Sequence, residues 1–110
     1  MSSKLSKKRC VPCEGGLAPV KGAELVDLVE QIGDRWIVVE EHHLEAKFSF
    51  DDFMQGLEFT NRVGELAEDE GHHPDILLSY GRVEIKLWTH AIDGLSENDF
   101  ILAAKIDELR

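Results

Sequence analysis

The chain has 110 residues, with 12 lysines and arginines against 22 aspartates and glutamates, and a formal charge of −10 at neutral pH. A chain of this length supports one modest hydrophobic core, which excludes a multidomain enzyme. Four of the basic residues precede residue 10, and the remaining chain carries a net charge of −14, which argues against direct binding of nucleic acid or anionic membranes.

Residues 1–20 are predicted to form an irregular arm, because prolines and glycines interrupt any regular pattern there. Cys10 and Cys13 form an isolated C-x-x-C pair in this arm. The pair supplies half of a zinc site and lacks the flanking strand and helix of a thioredoxin-like motif, so we expect no essential role for it. The chain shows no secretory signal and no run of about 20 apolar residues, so we expect a cytoplasmic protein without a membrane span.

A first helix and a β-hairpin are predicted between residues 23 and 50. Apolar residues from Ala23 recur at helical spacing along one face, and Gly33 is placed to end the helix. The face consists of Leu25, Leu28, Val29 and Ile32. Residues 35–39 are rich in β-branched and aromatic side chains, and residues 44–50 alternate between apolar and polar. Both segments are predicted strands, joined by a turn at residues 40–42.

A long second helix is predicted to follow, with Asp51 and Asp52 as its N-terminal cap and Gly71 at its end. Its apolar residues cover more than one narrow stripe. We therefore expect one face to pack on the sheet and part of another to contact a second subunit. Residues 75–80 and 82–89 form a second predicted strand pair around Gly81.

Ser96 and Asp99 resemble a capping box that opens a last helix, with an apolar stripe at Leu102, Ile106 and Leu109. The resulting element order is α-β-β-α-β-β-α. Short connections favour antiparallel pairing, and the single apolar face of each strand favours helices on one side of the sheet. The predicted fold class is α+β.

Three of the five histidines are predicted to converge beside the second strand pair. His72 and His73 follow the long helix, Pro74 keeps the backbone of His73 extended, and His90 ends the last strand. Pairing around Gly81 places residues near 89 opposite residues near 73. Because the reference pKa of imidazole is about 6.5, three such rings around one pocket favour proton transfer near neutral pH.

Acidic residues occupy the last turn of the long helix, where the helix macrodipole disfavours negative charge: Glu68, Asp69 and Glu70. Carboxylates beside the histidines would favour imidazolium and so provide a general acid. The alternative is a solvated acidic surface, with histidines that only join turn and strand ends.

These residues together resemble the signature of the pterin-4a-carbinolamine dehydratase family, also called the dimerization cofactor family. The shared pattern spans 32 positions. It comprises Glu68, His72, His73, Pro74, Tyr80, His90 and Asp99. The likeness extends from about residue 21 to the C-terminus, which implies one family domain over residues 21–110. The resemblance implies a four-stranded antiparallel sheet with three helices on one face, assembled as a homodimer or homotetramer.

The reaction implied by the resemblance is the dehydration of 4a-hydroxytetrahydrobiopterin to quinonoid dihydrobiopterin, which follows aromatic amino-acid hydroxylation. It implies no metal and no organic cofactor. His72, His73 and His90 map onto the catalytic histidines, and we expect His72 and His90 to be the acid–base pair. Glu68 is expected to orient an imidazole or bind the pterin. The remaining candidate substrate-binding residues are Pro74, Thr89, Ala91, Ile92, Trp36 and Asp99.

Several of these residues have ordinary structural alternatives. Asp99 is expected either to cap the last helix or to orient His90. Trp36 and Trp88 are candidates for stacking on a flat pterin, against ordinary strand packing. His42 and His43 fit no position in the motif and are expected to be exposed at a hairpin end.

Two other functions remain open from the sequence. Three histidines and a glutamate match zinc-ligand chemistry, although adjacent histidines in extended backbone point in different directions. The second is a non-catalytic protein-binding module, because the family also includes partners of homeodomain transcription factors.

Overall fold

The computed structural model describes residues 5–10 and 18–109. The elements in chain order are α1 (Gly22–Val29), β1 (Ile37–Val39), β2 (His43–Ser49), α2 (Phe53–Glu70), β3 (Asp75–Ser79), β4 (Arg82–Leu87) and α3 (Glu97–Asp107). Short 3-10 turns lie at Leu5–Lys7 and His90–Ile92. This order confirms the predicted α+β class. Among the described residues, no helix is long and apolar enough to span a membrane.

The four strands form one antiparallel sheet in the order β1-β2-β4-β3. The alternation predicted for the two central strands is confirmed, because one face of each is buried and the other is largely polar. The buried face is formed by Leu44, Ala46, Phe48, Val83, Ile85 and Leu87, each at most 2% exposed. This face packs into the core beneath the helices.

Helix α2 begins and ends at the residues that the sequence predicts. The Asp52 carboxylate accepts a hydrogen bond from the backbone N–H of Gln55 at 2.8 Å, and Gly71 adopts the left-handed conformation at φ 68°. Phe59, Val63 and Ala67 lie on its buried stripe. Other apolar side chains near its N-terminus, such as Met54, are exposed. The contact of this helix with a second subunit stays a prediction.

Helix α1 is shorter than the sequence predicts, and β1 begins two residues later. The helix ends at Val29, and Gly33 does not cap it. Instead, the backbone N–H of Gly33 and the indole N–H of Trp36 both donate to the Asp107 carboxylate, at 3.2 and 2.9 Å. These bonds tie the segment between α1 and β1 to the end of α3, so its residues belong to neither the helix nor the strand. The bonded residues are distant in sequence.

Helix α3 is buried on nearly every side, whereas the sequence predicts one apolar stripe. The difference arises from the N-terminal segment, whose 3-10 turn packs on α3. Leu5 is 1% exposed within the core, and Lys105 donates to the carbonyl of Ser6 at 2.9 Å. The described part of the predicted irregular arm therefore contributes to the core. Cys13 lies outside the described residues, and the domain boundary at residue 21 stays a prediction.

Candidate active site

A cleft of about 220 Å³ opens where α2 and β4 end. Its lining consists of Gly71, His72, His73, Trp88, Thr89, His90 and Ala91. The register explains this convergence: Asp75 pairs with Lys86, so the chain after β4 continues alongside the histidines that precede β3. The structure thus brings together the three histidines that the sequence singles out.

His72 is held by a buried carboxylate. Its Nε2 lies 2.5 Å from Oδ1 of Asp99, which is fully buried. The second oxygen of Asp99 accepts from the Thr89 hydroxyl and from the backbone N–H of Ser96, both at 2.9 Å. The contact occupies Nε2 of His72, so Nδ1 is the ring nitrogen left for proton exchange.

Asp99 therefore performs two tasks that the sequence offers as alternatives. Its contact with Ser96 caps α3, as predicted. It also orients a histidine, but that histidine is His72 rather than His90. A hydrogen-bonded carboxylate behind an imidazole fixes the ring and stabilises the imidazolium that forms when the ring takes up a proton.

His73 is held by a second carboxylate, in a more exposed setting. Its Nε2 lies 2.7 Å from Oε1 of Glu68, which lies in the last turn of α2. The two side chains are 62% and 81% exposed, so water and salt weaken this pair. Of the two roles expected for Glu68, the contact agrees with the orientation of an imidazole.

The acidic turn at the end of α2 does not act as one unit on the histidines. The Glu70 carboxylate is buried, and it accepts a hydrogen bond from the backbone N–H of Cys10 at 2.8 Å. It also lies 3.7 Å from Lys105 and 3.7 Å from Arg9. Glu70 therefore anchors the N-terminal segment.

His90 is positioned differently from the other two histidines. It begins the His90–Ile92 turn and is exposed, and within the described residues its imidazole has no hydrogen-bond partner. Its ring instead meets the Trp88 indole edge-on, with 4.5 Å between ring centroids. The turn is closed at its base, because Thr89 and Gly94 exchange backbone hydrogen bonds of 2.8 and 3.4 Å.

The two tryptophans have different environments. Trp88 lines the cleft, as a stacking residue must. Trp36 is only 5% exposed, and it packs against Phe48 in the core with its N–H bound to Asp107. The structure therefore does not bring Trp36 to the cleft.

The other predicted binding residues surround the cleft to different degrees. Thr89 and Ala91 line it, whereas Pro74 and Ile92 are half-buried neighbours along the chain that do not. His42 and His43 are not simply exposed, since their side chains are 33% and 17% accessible. Both rings contact Trp88, a placement that requires the strand order and is invisible in local sequence.

The zinc alternative requires several ligand side chains to converge on one point. In residues 5–10 and 18–109, no group of three or more histidine, cysteine, aspartate or glutamate side chains is arranged to hold a metal ion. His72 and His73 bind separate carboxylates.

Comparison with protein families gives a match over nearly all of the described domain. The model of the pterin 4 alpha carbinolamine dehydratase family matches residues 18–109. A relative from Rubrobacter xylanophilus is 55% identical over 107 residues, covering 97% of this chain and 99% of its own. A relative from Rickettsia bellii is 52% identical, covering 96% and 94%. Both are provisionally named pterin-4-alpha-carbinolamine dehydratase.

Solved structures show the same fold. A transcriptional coactivator/pterin dehydratase from Brucella melitensis superimposes with a TM-score of 0.76 at 27% identity, covering 83% of this chain and 97% of its own. A pterin dehydratase-like protein, identified as a RuBisCO assembly factor in the alpha-carboxysome, gives a TM-score of 0.59 at 28% identity, covering 67% and 87%.

Proposed function

The chain belongs to the pterin-4-alpha-carbinolamine dehydratase family, and from this premise we propose that it dehydrates 4a-hydroxytetrahydrobiopterin to quinonoid dihydrobiopterin. The observation that carries the proposal is one cleft lined by three histidines, one of which is bound to a buried carboxylate. The reaction needs only proton transfers, so the proposal includes no metal or organic cofactor.

The reaction moves two protons and releases one water. A proton is delivered to the 4a-hydroxyl, the C4a–O bond breaks, and the N5–H bond supplies electrons for a new double bond between N5 and C4a. The N5 proton passes to a base. An imidazole can serve as either group near neutral pH.

In this proposal, His72 and His90 are the acid–base pair. Asp99 occupies Nε2 of His72, so His72 exchanges its proton through Nδ1. The exposed ring of His90 has no hydrogen-bond partner among the described residues, which leaves it free to approach substrate. His73, oriented by Glu68, positions the pterin, and Trp88 offers an aromatic wall on which a flat ring can stack.

Turnover of synthetic 4a-hydroxytetrahydropterin tests the proposal. We expect His72→Ala and His90→Ala each to lower kcat by about 10²–10⁴-fold, the usual contribution of a general acid or base. Glu58→Gln on the exposed side of α2 is the control and is expected to keep wild-type turnover. Folded wild-type protein without dehydratase activity would refute the proposal.

The same negative result would favour a second candidate, a non-catalytic protein-binding module. Two observations support this candidate. The structural relatives include a coactivator/pterin dehydratase and a RuBisCO assembly factor. In addition, Phe53 and Met54 at the start of α2 are 42% and 59% exposed, and adjacent apolar side chains of this kind suit a protein contact.

The cellular setting belongs to the proposal as well. We propose a cytoplasmic homodimer or homotetramer that acts after an aromatic amino-acid hydroxylase and binds neither nucleic acid nor membrane. The net charge of −10 supports the last point, because such a surface repels other polyanions.

A further inference from the structure

A second side-chain cluster adjoins the cleft through Trp88. It is a continuous hydrogen-bonded chain of four residues, Asp93, His42, His43 and Glu45. His42 Nε2 lies 2.8 Å from Oδ1 of Asp93, the Nδ1 atoms of His42 and His43 are 3.0 Å apart, and His43 Nε2 lies 2.8 Å from Oε2 of Glu45. We call this chain the buttress.

The buttress contacts the aromatic wall of the cleft. The ring centroids of His42 and His43 lie 5.7 and 6.1 Å from that of Trp88, and Trp88 in turn lies 4.5 Å from His90. Tilted and edge-on contacts of this kind favour particular ring orientations. The two buttress histidines and His90 therefore contact one shared indole.

The buttress also holds the loop that carries His90. Asp93 directly follows the His90–Ile92 turn and has a left-handed backbone, with φ 49°. Its bond to His42 joins this loop to the β1–β2 hairpin, while Glu45 fixes the other end of the buttress on β2. His72 and His73 have carboxylates to orient them, whereas His90 relies on the indole and on this loop.

We propose that His42 and His43 are positioning residues that fix Trp88 and, through Trp88 and the Asp93 loop, the imidazole of His90. This inference rests on the proposed dehydratase function, because it serves the reacting role assigned to His90. The Asp93 side chain is 88% exposed, so solvent weakens its link. The His43–Glu45 link is firmer, since these side chains are 17% and 31% exposed.

The sharpest variant is His42→Phe, which keeps an aromatic ring beside Trp88 but removes both hydrogen bonds of His42. A displacement of a catalytic group by about 1 Å can lower turnover by about 10²-fold. We expect a smaller loss here, because the buttress that holds His90 is partly exposed. We expect kcat to fall about 10-fold and KM to rise by less than that, because His42→Phe removes no residue that lines the cleft. Glu45→Gln should act in the same direction more weakly.

A second readout follows His90 directly. Because the Trp88 and His90 ring centroids are 4.5 Å apart, we expect the indole ring current to displace the His90 proton resonances in NMR. This displacement should shrink in His42→Phe. Asp51→Asn is the matched control, because it also removes a carboxylate charge but lies before the start of α2. The 18 residues of α2, about 27 Å long, separate it from the cleft at the other end of the helix. It should leave turnover and the His90 resonances unchanged.

The outcomes separate this inference from the proposed function. If the His90 resonances are unchanged in His42→Phe, the proposed positioning role of His42 and His43 is wrong, whatever the turnover. It is also wrong if the resonances change but kcat stays at the wild-type value. If folded wild-type protein lacks dehydratase activity, the proposed function fails, and the His90 resonances alone decide whether the buttress exists. If His42→Phe does not fold, the same two readouts apply to Glu45→Gln.

Discussion

At the scale of single residues, the Asp99 side chain binds three partners at once. One oxygen binds His72, and the other accepts from Thr89 and Ser96. Asp99→Asn keeps the size and an acceptor oxygen for the cap of α3, but it removes the charge that stabilises the His72 imidazolium. We expect kcat to fall by about 10²-fold or more, as for other imidazoles that lose an orienting carboxylate.

Steady-state turnover and thermal unfolding of the same variant separate catalysis from folding. Asp107→Asn is the matched control, because this carboxylate also lies on α3 and accepts hydrogen bonds, from Gly33 and Trp36. It should lower stability without a loss of kcat. Equal kcat losses in the two variants would contradict a specific role for Asp99.

Cys10 provides a residue-scale prediction about pH. Burial, the Glu70 charge and a hydrogen bond to Glu70 raise the pKa of its thiol from 9.0 to about 12. Because only the thiolate reacts, alkylation of Cys10 by iodoacetamide at pH 8 should be at least ~10²-fold slower in the folded protein than in urea. Mass spectrometry in a Cys13→Ser background measures this ratio, and equal rates would place the thiol in solvent.

The sign of the linked stability follows from the same pKa. Between pH 9 and 12 the unfolded chain loses the thiol proton while the folded chain keeps it. The free energy of unfolding should therefore fall as the pH rises through this window, and Cys10→Ala should remove that part of the pH dependence. A full pH dependence in Cys10→Ala would assign it to other groups.

At the scale of elements, the β1–β2 hairpin contains an unfavourable turn. Glu40 and Glu41 both adopt left-handed backbone, with φ 53° and 54°. Such a conformation is costly for a residue with a side chain and is typical of Asn and Gly in hairpins. Glu40→Gly should therefore raise the free energy of unfolding by roughly 0.5–1 kcal/mol, because the relief of the left-handed conformation exceeds the entropy that glycine adds to the unfolded chain.

Urea unfolding measures this gain, and a glutamate with ordinary backbone supplies the control. Glu24 is an exposed residue in the first turn of α1. Glu24→Gly should lower the free energy of unfolding by up to about 1 kcal/mol, because glycine is a poor helix former. Loss of stability in both variants would show that the turn is not strained in solution.

The elements also show where sequence patterns suffice. Local signals predict α2 between Asp52 and Gly71, both buried strand faces and the cap of α3, because caps and alternation are properties of neighbouring residues. Hairpin pairing around Gly81 predicts the meeting of three histidines. The sequence could not predict that Asp99 binds His72 rather than His90, because this contact depends on how α3 packs against the chain after α2.

The contacts that the sequence misses join elements far apart in the chain. His42 and His43 reach Trp88 because β2 pairs with β4, and this strand order has no local signal. Trp36 is buried in the core, where its indole N–H donates to Asp107, 71 residues later in the chain. In each case a favourable local pattern is present, and a distant partner decides where the side chain lies.

At the scale of the whole molecule, the basic N-terminal segment forms ion pairs with the acidic remainder of the chain. The basic N-terminal segment lies over acidic helix ends: Lys8 pairs with Glu97 at 3.1 Å, and Arg9 lies 3.7 Å from both Asp69 and Glu70. These contacts partly offset negative charge at the C-terminal end of α2, where the macrodipole disfavours it. Most are exposed, however, so salt weakens them and they add little stability.

Apolar burial is therefore the stronger attachment of the N-terminal segment. Leu5 is 1% exposed and belongs to the same core as α3, so its removal leaves a cavity. Leu5→Ala should lower the free energy of unfolding by about 2–4 kcal/mol, the usual result for a buried leucine. Val26→Ala, at a side chain that is 58% exposed, should change it by less than about 0.5 kcal/mol. Urea titrations of both variants measure the difference, and equal small effects would mean that this segment does not pack on the domain in solution.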